Sequence, residues 1–351
     1  MPALVAPRSP ATVTPPRRPG TVRRTTHIEM SWDGPQLHLA GAARDLETTD
    51  QGARVRDAAT LDAEVDPRRR LAQLQLVPDR PDAMAMVGSV VGSGFRAQVA
   101  AVLPGERGTP LGLLLDDLPG ATLISGYVRV RSEAHAGLPP GSSVPVAALE
   151  AMTDVCSGWR TGGRAMASVA SGDGIPLQDC PPAPDLLWGG GISDRLAWHD
   201  IGPLAPRTMR RRRRIDVGWP APGPNPPAPS PNGTDDPIEV DAMFRDSYGE
   251  PDGTEVVLHE YGLQAVLDPY GLIVRSIEAT PAVLPFGECP LAAGNVDDLV
   301  GRAIGDFRSA VREQLTGVRS CTHLNDMLRV LADVAYLVQE QGQPGRRAQQ
   351  R

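Results

Sequence analysis

The chain has 351 residues with a formal net charge of −7 at pH 7, and all 35 of its basic residues are arginine. Without lysine it cannot form a lysine Schiff base, a Walker-type phosphate loop or the lysine–phosphate contact of a protein kinase. Its acidic balance argues against general nucleic-acid binding, which depends on a basic surface.

Signals for export or membrane insertion are not evident in the sequence. No apolar run approaches the roughly 18 residues of a membrane span, and the Pro- and Arg-rich N-terminus lacks the apolar core of a secretory signal. The four cysteines are too few for a disulfide framework in a chain of this length. We therefore expect a cytoplasmic protein with no membrane partner, and the sequence leaves its oligomeric state open.

Four sequence blocks occur twice in the chain, in the same order. Repetition of this kind predicts an internal duplication, with a degenerate first repeat at 21–131 and a second repeat at 210–338. The blocks start at Arg23, Leu37, Leu61 and Phe95 in the first repeat, and at Arg210, Ile238, Leu263 and Phe307 in the second.

The flanking and connecting segments are rich in residues that break regular structure. We expect residues 1–20 and 339–351 to be disordered, and 220–237 to be a flexible linker within the second repeat. Between the repeats, 132–209 is a Gly- and Pro-rich insert in which 144–155 is predicted to form a short helix.

Five consecutive arginines, residues 210–214, open the second repeat. A basic run can contact nucleic acid, but this one lacks interleaved aromatic residues and lies in an acidic chain. We predict instead a strand along which the arginine side chains alternate, some of them solvated and some ion-paired.

Periodicity in the second repeat predicts strands followed by helices. Apolar alternation at 238–246, 255–267 and 271–279, separated by Asp–Gly and Asp–Pro–Tyr–Gly turn signals, predicts a three-stranded antiparallel meander. Helical spacing follows at 296–315 and at about 322–338. The fold class is therefore α+β, and the two copies of this unit are expected to form a pseudo-dimer.

Candidate chemistry lies where the two repeats differ. The second repeat has Cys289 in a loop after the meander, Cys321 and His323 at the start of the last helix, and His259 in a strand, without Cys or His counterparts in the first repeat. A helix N-terminus favours a thiolate, and thiolate and imidazole are the ligands of zinc and iron–sulfur centres. We predict that Cys289, Cys321, His323 and His259 bind a metal ion.

A metal at these residues predicts an enzyme that acts on a small molecule. The divalent ion, zinc in preference to iron, would polarise a carbonyl or activate water in a hydrolase- or lyase-type step. His259 would be the fourth ligand or a catalytic base, and Glu260 would orient it.

Other uses of the same residues stay open. Cys321 could act as a nucleophile without metal, with His323 or His259 as its base. The site could carry an iron–sulfur cluster or sulfur for transfer to another protein, or hold a zinc ion that only stabilises the fold. Each residue also has a structural interpretation as a buried thiol, a core histidine or part of a helix cap. For Cys156 in the insert, a packed loop is favoured over a role at the site.

Several motifs of the second repeat resemble an uncharacterised bacterial domain-of-unknown-function family. They are LPFGECP at 284–290, FRSAVRE at 307–313 and CTHL at 321–324. A looser, fold-level similarity is to iron–sulfur cluster scaffold proteins, which have ligands near the second strand, after the sheet and before the last helix. That similarity implies an iron–sulfur cluster at His259, Cys289, Cys321 and His323.

Overall fold

The protein has a mixed α+β architecture in the part of the chain that the structure describes. The structure is a computed structural model, and it describes residues 6–177, 179–186, 188–189, 192–218 and 236–340. These residues form one eight-stranded antiparallel sheet, a separate small hairpin and eight α-helices. The predicted linker and the predicted C-terminal tail lie almost entirely outside the described residues.

Two sets of four long strands are separated by a hairpin of two-residue strands. In chain order the strands are β1 (Thr21–Asp33), β2 (Gln36–Thr49), β3 (Gly52–Val65), β4 (Leu71–Val77), β5 (Trp188–Gly189), β6 (Ile192–Ser193), β7 (Met209–Gly218), β8 (Ile238–Gly249), β9 (Glu255–Leu267) and β10 (Val274–Val283). We refer to β1–β4 as the N-terminal half-sheet and to β7–β10 as the C-terminal half-sheet.

The eight long strands form a single sheet in the order β10-β9-β8-β7-β1-β2-β3-β4. Strands β1 and β7 pair at its centre, where Thr26 lies opposite Arg213. The predicted meander corresponds to β8, β9 and β10. The prediction of three strands per unit was wrong, because β1 and β7 add a fourth strand to each half and join the two halves into one sheet.

The helices follow each half-sheet along the chain. They are α1 (Phe95–Val102), α2 (Pro110–Ile124), α3 (Gly126–His135), α4 (Val146–Glu150), α5 (Arg164–Ser171), α6 (Phe307–Gln314), α7 (Thr322–Val330) and α8 (Val334–Glu340). Among the described residues, none of the helices combines the length and the apolar character needed to cross a membrane.

Two predicted helices differ in detail from the structure. The segment predicted at 296–315 begins as a 3-10 helix, Cys289–Leu299, and is interrupted at Gly301, whose φ of 81° is left-handed and incompatible with an α-helix. Regular α-helix resumes only at α6. The last predicted helix is present as α7 and α8, with the 3-10 turn Leu331–Asp333 between them.

One face of the sheet packs against helices, and residues 6–20 lie on the opposite face. The Ser9 amide donates a hydrogen bond to the Ala282 carbonyl at 3.1 Å, and the Trp198 indole donates one to Thr14 Oγ1 at 3.0 Å. Arg17 forms an ion pair with Asp194 at 2.8 Å. The prediction of disorder was therefore wrong for residues 6–20, because tertiary contacts hold this Pro-rich segment in place.

The arginine run forms half of β7, and four of its five side chains are buried rather than solvated. Arg211 and Arg213 point to the helix face, where Arg213 binds both carboxylate oxygens of Asp117 at 2.8 and 2.7 Å. The expected alternation is present, but solvation is replaced by ion pairing. A buried guanidinium needs a carboxylate partner, because burying an unpaired charge lowers the stability of the protein by roughly several kcal/mol.

Candidate functional site

The structure brings His259, Cys289, Cys321 and His323 to one cavity of about 160 Å³ on the helix face of the C-terminal half-sheet. The cavity lies between β9, the 3-10 helix that begins at Cys289, and the start of α7. Residues far apart in sequence therefore converge, because the start of α7, with His323, lies against His259 of β9.

His259 lies on β9 opposite Asp246 of β8, directly before a bulge in the pairing of these strands. Its side chain is fully buried, and neither ring nitrogen has a hydrogen-bond partner. The ring stacks on His323, with centroids 3.7 Å apart and planes 16° from parallel. Such an orphaned imidazole is unusual, because buried polar groups are generally paired.

His323 occupies the second position of α7 and is the more accessible of the two histidines, with 21% of its side chain exposed. Its Nδ1 lies 4.0 Å from Cys321 Sγ, and its Nε2 lies 3.9 Å from Asp246 Oδ2. Burial, followed by the charge of Arg211, lowers the pKa of His323 to about 3. Burial and the neighbouring His323 lower the pKa of His259 well below its usual value. Both imidazoles are thus neutral at pH 7.

Asp246 is a site residue that the sequence reasoning missed. It is completely buried and binds Arg211 through both carboxylate oxygens, at 2.9 and 3.1 Å, while Oδ2 lies 3.8 Å from His259 Nδ1. Arg211 also contacts Asp326 Oδ2 at 3.3 Å. Asp246 belongs to the pair Arg245–Asp246, which has a match in Arg44–Asp45 of the first repeat, so a search for differences between the two repeats passes over it.

Three of the four cysteines line the cavity, and each is buried. Burial raises the pKa of the Cys321 thiol to about 11 and raises the pKa values of Cys289 and Cys156 as well. Cys156 comes from the insert, where it had been interpreted as part of a packed loop. Gly158 lets this loop approach closely, since a Cβ atom there would lie 2.7 Å from Cys289 Sγ.

Glu260 lies on the opposite face of β9 from His259, because side chains alternate along a strand. Its carboxylate pairs with Arg245 at 2.5 Å and accepts a hydrogen bond from the Ala11 amide. This geometry gives Glu260 no contact with the cavity. Cys180, the fourth cysteine, lies 3.8 Å from Arg131 Nη1 and does not line the cavity either.

The residues that best fit a metal ion are Asp246, His259 and His323, whose ligand atoms all lie within 4.8 Å of one another. Neutral imidazoles and a carboxylate are suitable ligands for zinc and for non-haem iron. In a tetrahedral zinc site the nitrogen ligands are about 3.3 Å apart, given bonds of about 2.0 Å. Binding would therefore require the ligand atoms to move together and the stacked rings to rotate. The predicted ligands Cys289 and Cys321 are both outside this group, and Cys321 Sγ lies 4.0 Å from His323 Nδ1.

Comparison with known proteins identifies a family for the part of the chain that contains these ligand atoms. Residues 228–337 match the model of a family described as a protein of unknown function, DUF2889. No curated protein and no solved structure matches the chain. The fold-level similarity to iron–sulfur scaffold proteins therefore stays a prediction. The resemblance to an uncharacterised family is confirmed, and the matched segment from 228 to 337 contains Asp246, His259, Cys289, Cys321 and His323.

Proposed function

We propose that the protein is a metal-dependent enzyme acting on a small molecule, with a divalent ion bound by His259, His323 and Asp246. Zinc is favoured over iron because two imidazoles with thiols nearby are typical of zinc sites. The observation that carries the proposal is His259, which is fully buried beside two other ligand groups with both ring nitrogens unpaired. A metal bond would satisfy one of these nitrogens.

Each residue would have a definite task in such a site. Arg211 holds the Asp246 carboxylate in place through two hydrogen bonds. Cys321, 4.0 Å from the His323 ring, is the candidate fourth ligand or proton donor. The apolar cavity wall excludes water, which strengthens electrostatic interactions inside. A bound ion in this setting would polarise a carbonyl or activate water, which supports a hydrolase- or lyase-type reaction.

We also infer that the chain arose by internal duplication into a pseudo-dimer. The Arg24–Asp45 pair on β1 and β2 has the same register as the Arg211–Asp246 pair on β7 and β8. The pairing shifts after Asp45 of β2 and after Asp246 of β8, each time because the partner strand, β3 or β9, has one extra residue. Equal registers and equal bulge positions support a common origin of the two half-sheets, because bulges are specific features of a fold.

Thiol catalysis without metal is the second candidate. Cys321, His323 and Asp246 form a nucleophile–base–carboxylate sequence, with separations of 4.0 and 3.9 Å that a bound substrate could tighten. The raised pKa of Cys321 disfavours this role, since a thiolate is the reactive form.

Elemental analysis of protein purified without a metal-binding tag tests the proposal. We expect about one zinc or iron per chain in the parent and in His38→Gln, a partly exposed control histidine outside the cavity, and less than a tenth of that in His259→Gln. Equal metal content in all three would contradict the metal site.

Other outcomes would favour the other candidate functions. If the parent protein contains no metal and its activity is lost in Cys321→Ser, thiol catalysis is favoured. If the protein contains several iron atoms and absorbs broadly in the visible range, an iron–sulfur cluster is favoured. Unfolding on chelation would favour a structural zinc.

A further inference from the structure

We propose that the cavity binds an uncharged molecule of about the size of one aromatic ring. This inference rests on the proposed function in naming its substrate class, but binding itself can be measured without metal. The cavity is shaped by side chains from α2, α3, the insert loop and the segment before Cys289, so it is assembled from both halves of the chain.

The wall opposite the histidines is apolar and aromatic. The chain has only five Trp, five Tyr and four Phe residues, and one of each lines this cavity. Trp159 and Phe286 meet edge to face, with ring centroids 6.0 Å apart, and Tyr127 meets the His259 ring edge to face at 5.4 Å. Aromatic rings and sulfur atoms both contact a further aromatic ring favourably.

No charge among the residues that line the cavity is left for a charged ligand. Arg211 is shared between Asp246 and Asp326, and Asp326 is also paired with Arg96 at 3.0 Å. In the metal-free protein, a carboxylate or an ammonium ion would therefore lose its hydration without gaining a partner, which costs on the order of several kcal/mol.

The volume sets the size of the occupant. A dry apolar cavity of about 150 Å³ takes up benzene, and this cavity measures about 160 Å³. The His323 side chain, which lines the cavity and is 21% exposed, provides one polar contact. Leu123 and Val155, which line the cavity and are 56% and 38% exposed, mark its opening. A monocyclic aromatic molecule with a single hydroxyl or carbonyl group matches these features.

Phenol, cyclohexanol and benzoate are suitable probes, applied to the full chain after chelation and followed by calorimetric titration. We expect saturable binding of phenol at one site, weaker binding of cyclohexanol, and binding of benzoate weaker by at least about tenfold. Val155→Trp should fill the opening and weaken phenol binding by about tenfold or more. Val146→Trp, at an exposed position away from the cavity, should leave it unchanged.

Methyl NMR of the parent keeps the test independent of whether Val155→Trp folds. Phenol should shift the methyl signal of Met152, which lines the cavity, and leave that of the exposed Met84 unchanged. Equal affinity for phenol and benzoate, an unaffected Met152 signal, or full binding by folded Val155→Trp would overturn the proposal. If the protein contains metal but does not bind phenol, only this inference is overturned. If it binds phenol but contains no metal, only the proposed metal site is overturned.

Discussion

The two half-sheets carry the same buried ion pair at the same register but differ in what surrounds it. In the N-terminal half-sheet, the residue opposite Asp45 on the neighbouring strand β3 is Asp57, and the pairing shifts directly after it. In the C-terminal half-sheet, the residue opposite Asp246 on the neighbouring strand β9 is His259, and the pairing again shifts directly after it. Both half-sheets thus have the arginine–aspartate pair, whereas the residue opposite the aspartate is an imidazole in the C-terminal half-sheet and a carboxylate in the N-terminal one.

The helices that follow the half-sheets show the same contrast. Thr109 caps α2 and accepts a hydrogen bond from the Gly112 amide at 3.0 Å, and Leu111 two positions later packs in the core. At the corresponding positions of α7, Cys321 makes no capping hydrogen bond and His323 faces the cavity. The C-terminal half therefore lacks the helix cap and the apolar contact of the N-terminal half, and has a thiol and an imidazole in their place. Such a loss of local stability is expected at a functional site.

Removing either carboxylate of the repeated ion pairs should have the largest effect. Asp45→Ala and Asp246→Ala each leave a buried arginine without its main partner, which should lower the free energy of unfolding by about 3–5 kcal/mol. Denaturant unfolding of chelated protein measures both, with the exposed Asp62→Ala as control. Similar losses in the two variants would support a shared structural role, whereas a loss near zero for Asp246→Ala would show that this pair does not stabilise the C-terminal half.

The second stacked histidine pair, His27 and His199, separates the effect of burial from that of ligand binding. Burial, first of all, lowers the pKa of both side chains to about 3, yet His199 has partners in His27 at 2.6 Å and Thr25 at 2.8 Å. The unfolded chain takes up protons below pH 6.5 and the folded chain does not, so stability should fall as the pH drops from 6.5 towards 3.

Replacing one histidine of this pair should flatten the pH dependence. We expect His199→Gln to reduce the slope by up to about 1.4 kcal/mol per pH unit while leaving metal content unchanged. Unfolding measured at several pH values between 7 and 4 checks the slope. A loss of metal in His199→Gln as large as the loss expected for His259→Gln would mean that the metal is not specific to the cavity.

Exchanging the helix caps should give the smallest effect. Thr109→Cys removes a capping hydrogen bond and should lower the free energy of unfolding by about 1 kcal/mol, while Cys321→Thr should raise that of the metal-free protein by a similar amount. Denaturant midpoints at equal slope measure both changes. A destabilising Cys321→Thr would indicate that the thiol contributes to packing rather than to the chemistry of the cavity.

Four residues of the cavity could be predicted from sequence because the sequence blocks that occur twice can be compared. His259, Cys289, Cys321 and His323 stand out as differences, and the structure brings them to one cavity. Asp246 could not be found in this way, since its counterpart Asp45 makes the same ion pair and the comparison removes it.

Two other outcomes have simple physical reasons. Glu260 follows His259 in sequence, but neighbours on a strand point to opposite faces, so adjacency argued against its predicted role. Cys156 reaches the cavity through an insert that has no repeat and no periodicity, and only tertiary packing determines where that loop lies. The strands were predicted well because alternation is a local signal, whereas their joining into one sheet depends on long-range pairing of β1 with β7.

The most direct test converts the C-terminal site into its N-terminal counterpart. Zinc titration against a competing indicator should give one site per chain in the parent, and an affinity at least about a hundredfold lower in the double variant His259→Asn, His323→Leu, which has the leucine found at 111 and the uncharged isostere of the aspartate found at 57. Circular dichroism would establish that the variant is folded. Undiminished zinc affinity in a folded double variant would contradict the metal site proposed here.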